Sequence, residues 1–129
     1  MKKRIISSEK RWEKGFDFSQ GVEAEGVNRV VWLAGQTSYD GEKVVGSDIG
    51  AQTRLAYGYI LEYLAKAGMT MSSIVYERIN LTDMAMLEDA LKARHGFYED
   101  YGFPPATFTA VKALALPELL IEIEVVAVK

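Results

Sequence analysis

Residues 119–128, LLIEIEVVAV, constrain the fold most, because their apolar side chains fall on both faces of any strand they form. With a period of two, Ile121, Ile123, Val125 and Ala127 share one face, and Leu120, Glu122, Glu124, Val126 and Val128 share the other. Residues 30–36 repeat the pattern, setting Val30, Trp32 and Ala34 against Val31, Leu33 and Gly35. A sheet made of such strands needs cover on both sides. The rest of the chain offers two helical stretches, enough for one side, so the other side is expected to meet further copies of the chain. Local curling of strand ends over these side chains is the competing explanation.

The first helical stretch runs from Ser47 or Asp48 to Ala67. Ala56, Ile60, Leu64 and Ala67 form its stripe beside Tyr57 and Leu61, and Gly68 suits the left-handed position past its end. The second starts at Thr82 or Asp83, carries Leu87, Ala90, Leu91, Arg94, Phe97 and Tyr98, and stops at Gly102-Phe103-Pro104-Pro105. Between them, residues 73–81 alternate as a strand with polar groups on both faces. Residues 4–7, 18–23 and 30–36 are expected to form a meander, and residues 107–114 and 119–128 the last two strands. Asp40-Gly41 marks a tight turn. The order β-β-β-α-β-α-β-β defines an α+β fold, a six-stranded sheet with two helices on one face.

Length and composition narrow the function classes. The chain has 129 residues, which suits one domain over residues 1–129. A net charge of −3 argues against the phosphate attraction on which nucleic-acid binding rests. Cysteine is absent and His95 is the only histidine, so disulfides, thiol nucleophiles and a zinc cluster are not expected. No cofactor is implied. Met1-Lys2-Lys3-Arg4 looks like the start of a signal peptide, yet no apolar segment follows Ile5-Ile6, which predicts a cytoplasmic protein. No apolar run reaches the roughly 18 residues that span a membrane.

Five segments in order resemble the RidA/YjgF family: FSQGV at 18–22, LAGQ at 33–36, AQTRLAYGYILEYLAKAG at 51–68, FPPAT at 103–107 and LIEIEVVAV at 120–128. The resemblance implies a chorismate-mutase-like, mostly antiparallel fold, a homotrimer whose sheets line a central barrel, and small-molecule clefts between subunits. It also implies hydrolysis of enamines or imines to a 2-oxo acid and ammonia. That chemistry needs a cationic fork for the substrate carboxylate and a carboxyl group to position water.

On the same resemblance, Glu122 matches the family's catalytic glutamate. The expected ligand-binding positions are Phe18, Ala34, Gly35, Gln36, Ala90, Leu91, Ala106 and Thr107, and Trp32 joins them because it shares a strand face with Ala34, with plain core packing as its competing explanation. The family arginine falls on Thr107, or on Ala106 or Phe108 after a one-residue slip, and none supplies a cation. Phe18 replaces a tyrosine, Ala34 a serine, and Ala90 or Leu91 an asparagine, so each loses a polar group. Arg78 and Lys112, both expected on strands, are the nearest replacement cations, although an exposed strand charge is the commoner meaning.

Other features have plainer readings. Glu122 and Glu124 together could be a solvated or salt-bridged strand face, and His95 a surface or packing residue. Tyr57, Tyr59 and Tyr63 fit helix packing and half-exposed surface, and Lys10-Arg11-Trp12-Glu13-Lys14 fits a solvated loop. Three functions compete: imine or enamine hydrolase with weakened activity, non-catalytic metabolite-binding module, and ribonuclease. The last is disfavoured by a single histidine and the negative charge.

Overall fold

The computed structural model describes residues 1–129. Its central strand is the apolar C-terminal run: β6 (Ile121–Val128) lies between β3 (Val30–Gln36) and β4 (Ile74–Leu81), antiparallel to both. The short β5 (Ala106–Ala110) runs parallel to β4 at the edge, giving the order β3-β6-β4-β5. Ile121, Ile123, Val125 and Ala127 are all buried on one face, with Ile79 and Leu81 beside them.

Two helices cover that face. α1 (Ile49–Lys66) begins where the Asp48 carboxylate accepts from the Ala51 amide at 2.8 Å, and it ends before Gly68 at φ +68°. Its Ala56, Tyr57, Ile60 and Leu64 are buried, as the periodicity predicts. α2 (Leu87–Tyr98) is entered through a 3₁₀ turn, Met84–Met86, capped by Asp83. Gln52, fully buried, accepts from the Leu120 amide and donates to the Gly46 and Glu118 carbonyls, fixing the chain just before β6. With all three of these bonds made, its burial carries little penalty.

Between α1, α2 and β4 lies a buried polar cluster. The Glu77 carboxylate accepts from Arg94 Nε at 2.5 Å, from the Tyr98 hydroxyl at 2.6 Å and from the Tyr57 hydroxyl at 3.0 Å. Burial alone would weaken the charge on Arg94, but the facing carboxylate outweighs it and raises the guanidinium above its usual value. Burial first, then the Glu77 charge, pushes both tyrosine hydroxyls well above the usual range. Arg94 Nη1 also donates to the Asp17 carbonyl at 2.6 Å, while Nη2 has no partner in the chain. The guanidinium packs against the rings of Tyr98, Phe103 and Phe108.

The N-terminal third departs from the expected meander. β1 (Lys2–Ile6) and β2 (Gly21–Glu25) pair as an antiparallel hairpin, but β2 does not join β3, so the six strands divide between this hairpin and the four-stranded sheet. The segment leading into β2 is held at the β5 edge of the sheet, while at the opposite edge Lys129 accepts from the Asn28 and Arg29 amides and donates to Arg29, tying the start of β3 to the end of β6. A single parallel bridge, Ser19 to Pro105, links the hairpin segment to the sheet edge. Residues 10–14 are exposed as expected except at Glu13. Trp12–Phe16 form a 3₁₀ turn, and the buried Glu13 accepts from both the amide and the hydroxyl of Ser8. Strand β5 ends at Ala110, so Lys112 lies beyond it in a bend and not on a strand.

Candidate functional site

The face of the sheet turned away from the helices has no cover within the chain. It carries Trp32 from β3, Glu122, Glu124 and Val126 from β6, Tyr76, Arg78 and Asn80 from β4, and Thr107 and Thr109 from β5. Trp32 is 72% exposed, far beyond what a tryptophan in a finished core shows. Apolar groups gather at one end, where Trp32, Tyr76, Glu124 and Val126 line a groove of about 250 Å³. Polar groups gather at the other.

Glu122 and Gly35 are in direct contact there. The β3–β6 ladder shifts register between Leu33 and Gln36, and the resulting bulge lets the Glu122 side chain lie across the Gly35 backbone. A Cβ on Gly35 would stand 2.0 Å from Glu122 Oε1 and 2.6 Å from its Cδ, so the glutamate occupies space that only glycine leaves open. Glu122 sits opposite Asn80, whose side-chain oxygen accepts from the Thr109 hydroxyl at 2.6 Å. Two positions along, the Tyr76 hydroxyl donates to Thr107 Oγ1 at 2.8 Å. Between these two pairs stands Arg78, in register with Thr107 on one side and with Glu124 on the other. Its Nε lies 3.6 Å from Glu124 Oε1, an ion pair too long to be a hydrogen bond.

The expected site residues divide by location. Trp32, Ala34, Gly35, Thr107 and Glu122 belong to the uncovered side, with Ala34 exposed in the bulge. Gln36 pairs opposite the core-facing Ile123, and its amide donates back to the Ala34 carbonyl, so it does not join Glu122. Ala106 is in register with Glu77 on the helix side. Ala90 is packed in the core, and Leu91 lines an outer cleft with Asp17, Lys92 and His95. Both lie across the sheet from Glu122, because α2 covers the opposite face. Phe18 packs edge-on against Trp12 and Phe108, beside the strand edge. His95 is a packing and surface residue, its Nδ1 2.9 Å from Asp17 Oδ2. Tyr76 and Asn80 were missed, although the strand alternation of residues 73–81 places them on the Arg78 side, and Thr109 joins them only through the pairing of β5 with β4.

Known proteins supply the family. The model of the family described as Endoribonuclease L-PSP matches residues 10–129. The chain belongs to the RidA/YjgF family. A crystal structure of YyfB, a Rid family protein of unknown function from Yersinia pestis, superposes with a TM-score of 0.90 at 34% identity, covering all of both chains. A RutC family protein from Pyrococcus abyssi is 30% identical over 100% of this chain and 99% of its own length. A YjgF/YER057c/UK114 family member from Mycobacterium tuberculosis is 30% identical with a TM-score of 0.69, covering 99% of this chain and 100% of its own. The α+β fold, with two helices on one side of the sheet, is therefore that of the RidA/YjgF family. No helix is long and apolar enough to cross a membrane.

Proposed function

We propose that the chain handles a small imine- or enamine-like metabolite at Glu122, in clefts formed where copies of the chain, three in a ring, meet over the uncovered sheet face. The observation that carries this reading is the placement of Glu122: its carboxylate is laid over Gly35, accepts no hydrogen bond from the chain, and faces outward beside Asn80. A carboxylate so held can take a proton from water as that water adds to the carbon of a C=N bond. The nitrogen gains a proton, and collapse of the carbinolamine then releases ammonia and leaves a 2-oxo acid.

A second reading, a binding module without turnover, is favoured by one observation. Ala106, Thr107 and Phe108 offer no cation at the position of the family arginine, so anchoring of a substrate carboxylate is weakened there. The test is hydrolysis of imines generated in situ from amino acids. Weak acceleration over buffer is expected, falling about a hundredfold in Glu122→Gln, in the range for loss of a general base. No acceleration, with an arginine-bearing family member active in parallel, removes the hydrolase reading. A saturable rise in melting temperature without consumption of the ligand then supports binding alone.

A further inference from the structure

We infer that the cleft between the N-terminal hairpin and the segment after α2 is a second binding site, for a small carboxylate with an apolar body, its charge taken by Lys3. The cleft is separate from the Glu122 face and does not depend on the function proposed there.

Register divides the charges of the hairpin. On one face Lys2 stands opposite Glu25 and Arg4 opposite Glu23, with Arg4 Nε 3.0 Å from Glu23 Oε2. Lys3 and Ile5 turn to the other face, opposite Ala24 and Val22. Lys3 makes no ion pair, and its ammonium donates to the Ser72 carbonyl in the 3₁₀ turn Met71–Ser73. Much of the Lys3 side chain is exposed, yet the surrounding walls hold enough water off the ammonium to lower its pKa from the usual lysine value.

Beside Lys3 the cleft encloses about 200 Å³. Ile5 and Val22 line it from the hairpin, Met71 and Ile74 from the core, and Tyr101 and Phe103 from the segment after α2; no acidic residue lines it. Phe103 packs against Tyr98, so the cleft is on the helix side of the sheet, across from Glu122.

This lining selects the ligand. A cation with no carboxylate beside it favours an anion, and a charged hydrogen bond is strongest where water is scarce. Ile5 is 55% and Tyr101 57% exposed, so an apolar body covers surface that water otherwise wets. An inorganic anion leaves those walls wet, and a neutral apolar molecule leaves the ammonium unmatched. The volume is below the roughly 300–1,000 Å³ of sites for drug-sized ligands, which limits the occupant to a small acid.

The experiment is NMR titration of the full chain with 3-methylbutanoate, 3-methylbutanamide and acetate, following the methyl groups of Ile5, Val22 and Ile74 and the amide of Ser72. 3-Methylbutanoate is expected to bind saturably and at least about tenfold more tightly than its amide, the scale of one charged hydrogen bond. Acetate, lacking the apolar body, is expected to be weaker by about tenfold or more. Lys3→Met weakens 3-methylbutanoate about tenfold. Lys3→Arg keeps the cation and retains binding, which separates loss of charge from loss of the hairpin. Lys2→Gln, on the opposite face, leaves affinity unchanged, and Tyr101→Ala, at an exposed position, weakens 3-methylbutanoate severalfold. Equal binding of the acid and its amide, undiminished binding in Lys3→Met, or an equal loss in Lys2→Gln overturns the inference. Absence of any response at these residues also overturns it.

Discussion

Replacing Arg94 with methionine is expected to destabilise the fold by about 3–5 kcal/mol, the cost of leaving a buried carboxylate uncompensated. Arg94 is 0% exposed, and its Nε is the only cationic donor to Glu77. In Arg94→Met, the carboxylate must either take up a proton or draw water into a packed core. Urea unfolding followed by tryptophan fluorescence measures the loss directly. The double variant Glu77→Leu, Arg94→Met removes both charges and is expected to recover a large part of the stability, since apolar replacement of a whole buried pair is often close to neutral. Equal losses in the single and double variants would show that the ion pair is not what makes Arg94 costly to remove. The alkaline limit has the same origin. Tyr57 and Tyr98 have raised hydroxyl values in the folded chain, so the folded state holds these protons where the unfolded chain releases them. Their contribution is complete below pH ~10 and is lost as pH climbs from there toward the folded-state values.

Gly35→Ala has the largest expected effect on function at the smallest cost to the fold. The three nearest atoms to the new Cβ all belong to Glu122, its Cγ at 2.7 Å included, so the side chain must turn about its Cα–Cβ bond to clear the methyl group. Glu122 then leaves the bulge, and the site loses the orientation of its acid. Stability is expected to change by no more than about 1 kcal/mol, as for a substitution that meets a movable side chain. Imine turnover, or saturable ligand binding where there is no turnover, is expected to fall as far as in Glu122→Gln. Wild-type behaviour of Gly35→Ala at the ligand, with the fold intact, would detach Glu122 from the site.

Local rules made much of the fold legible in the sequence. The helical stripe of Ala56, Ile60 and Leu64 and the caps at Asp48 and Gly68 follow from a 3.6-residue period and backbone preference, and α1 matches them. The two-faced apolar pattern of residues 119–128 implied a sheet face that the two helices leave open, while the central place of that strand emerged only from the pairings. What failed were pairings between distant segments. Nothing near β2 reveals that Ser19 bridges to Pro105 at the edge of the sheet opposite β3, so adjacency in sequence alone suggests a meander. Glu77 and Arg94 are charged residues at core-facing positions, and their burial becomes intelligible only when both tyrosine hydroxyls arrive from separate helices.

The site was legible in part for the same reason. Gly35 and Glu122 meet because their strands are neighbours. Ala90 and Leu91 were drawn in through the resemblance, and α2 carries them to the other side. Arg78 could be seen as a candidate but not as a neighbour of Glu122, since β4 and β6 pair across about forty residues of sequence.

The central claim is that the face bearing Trp32 and Glu122 is where copies of the chain meet and the ligand sits. Sedimentation equilibrium of the wild type beside Trp32→Lys tests it most directly. The account predicts close to three times the single-chain mass for the wild type and dissociation toward single chains in the variant, with the fold retained. A wild type that sediments as a single chain, with the indole of Trp32 open to solvent, would contradict it.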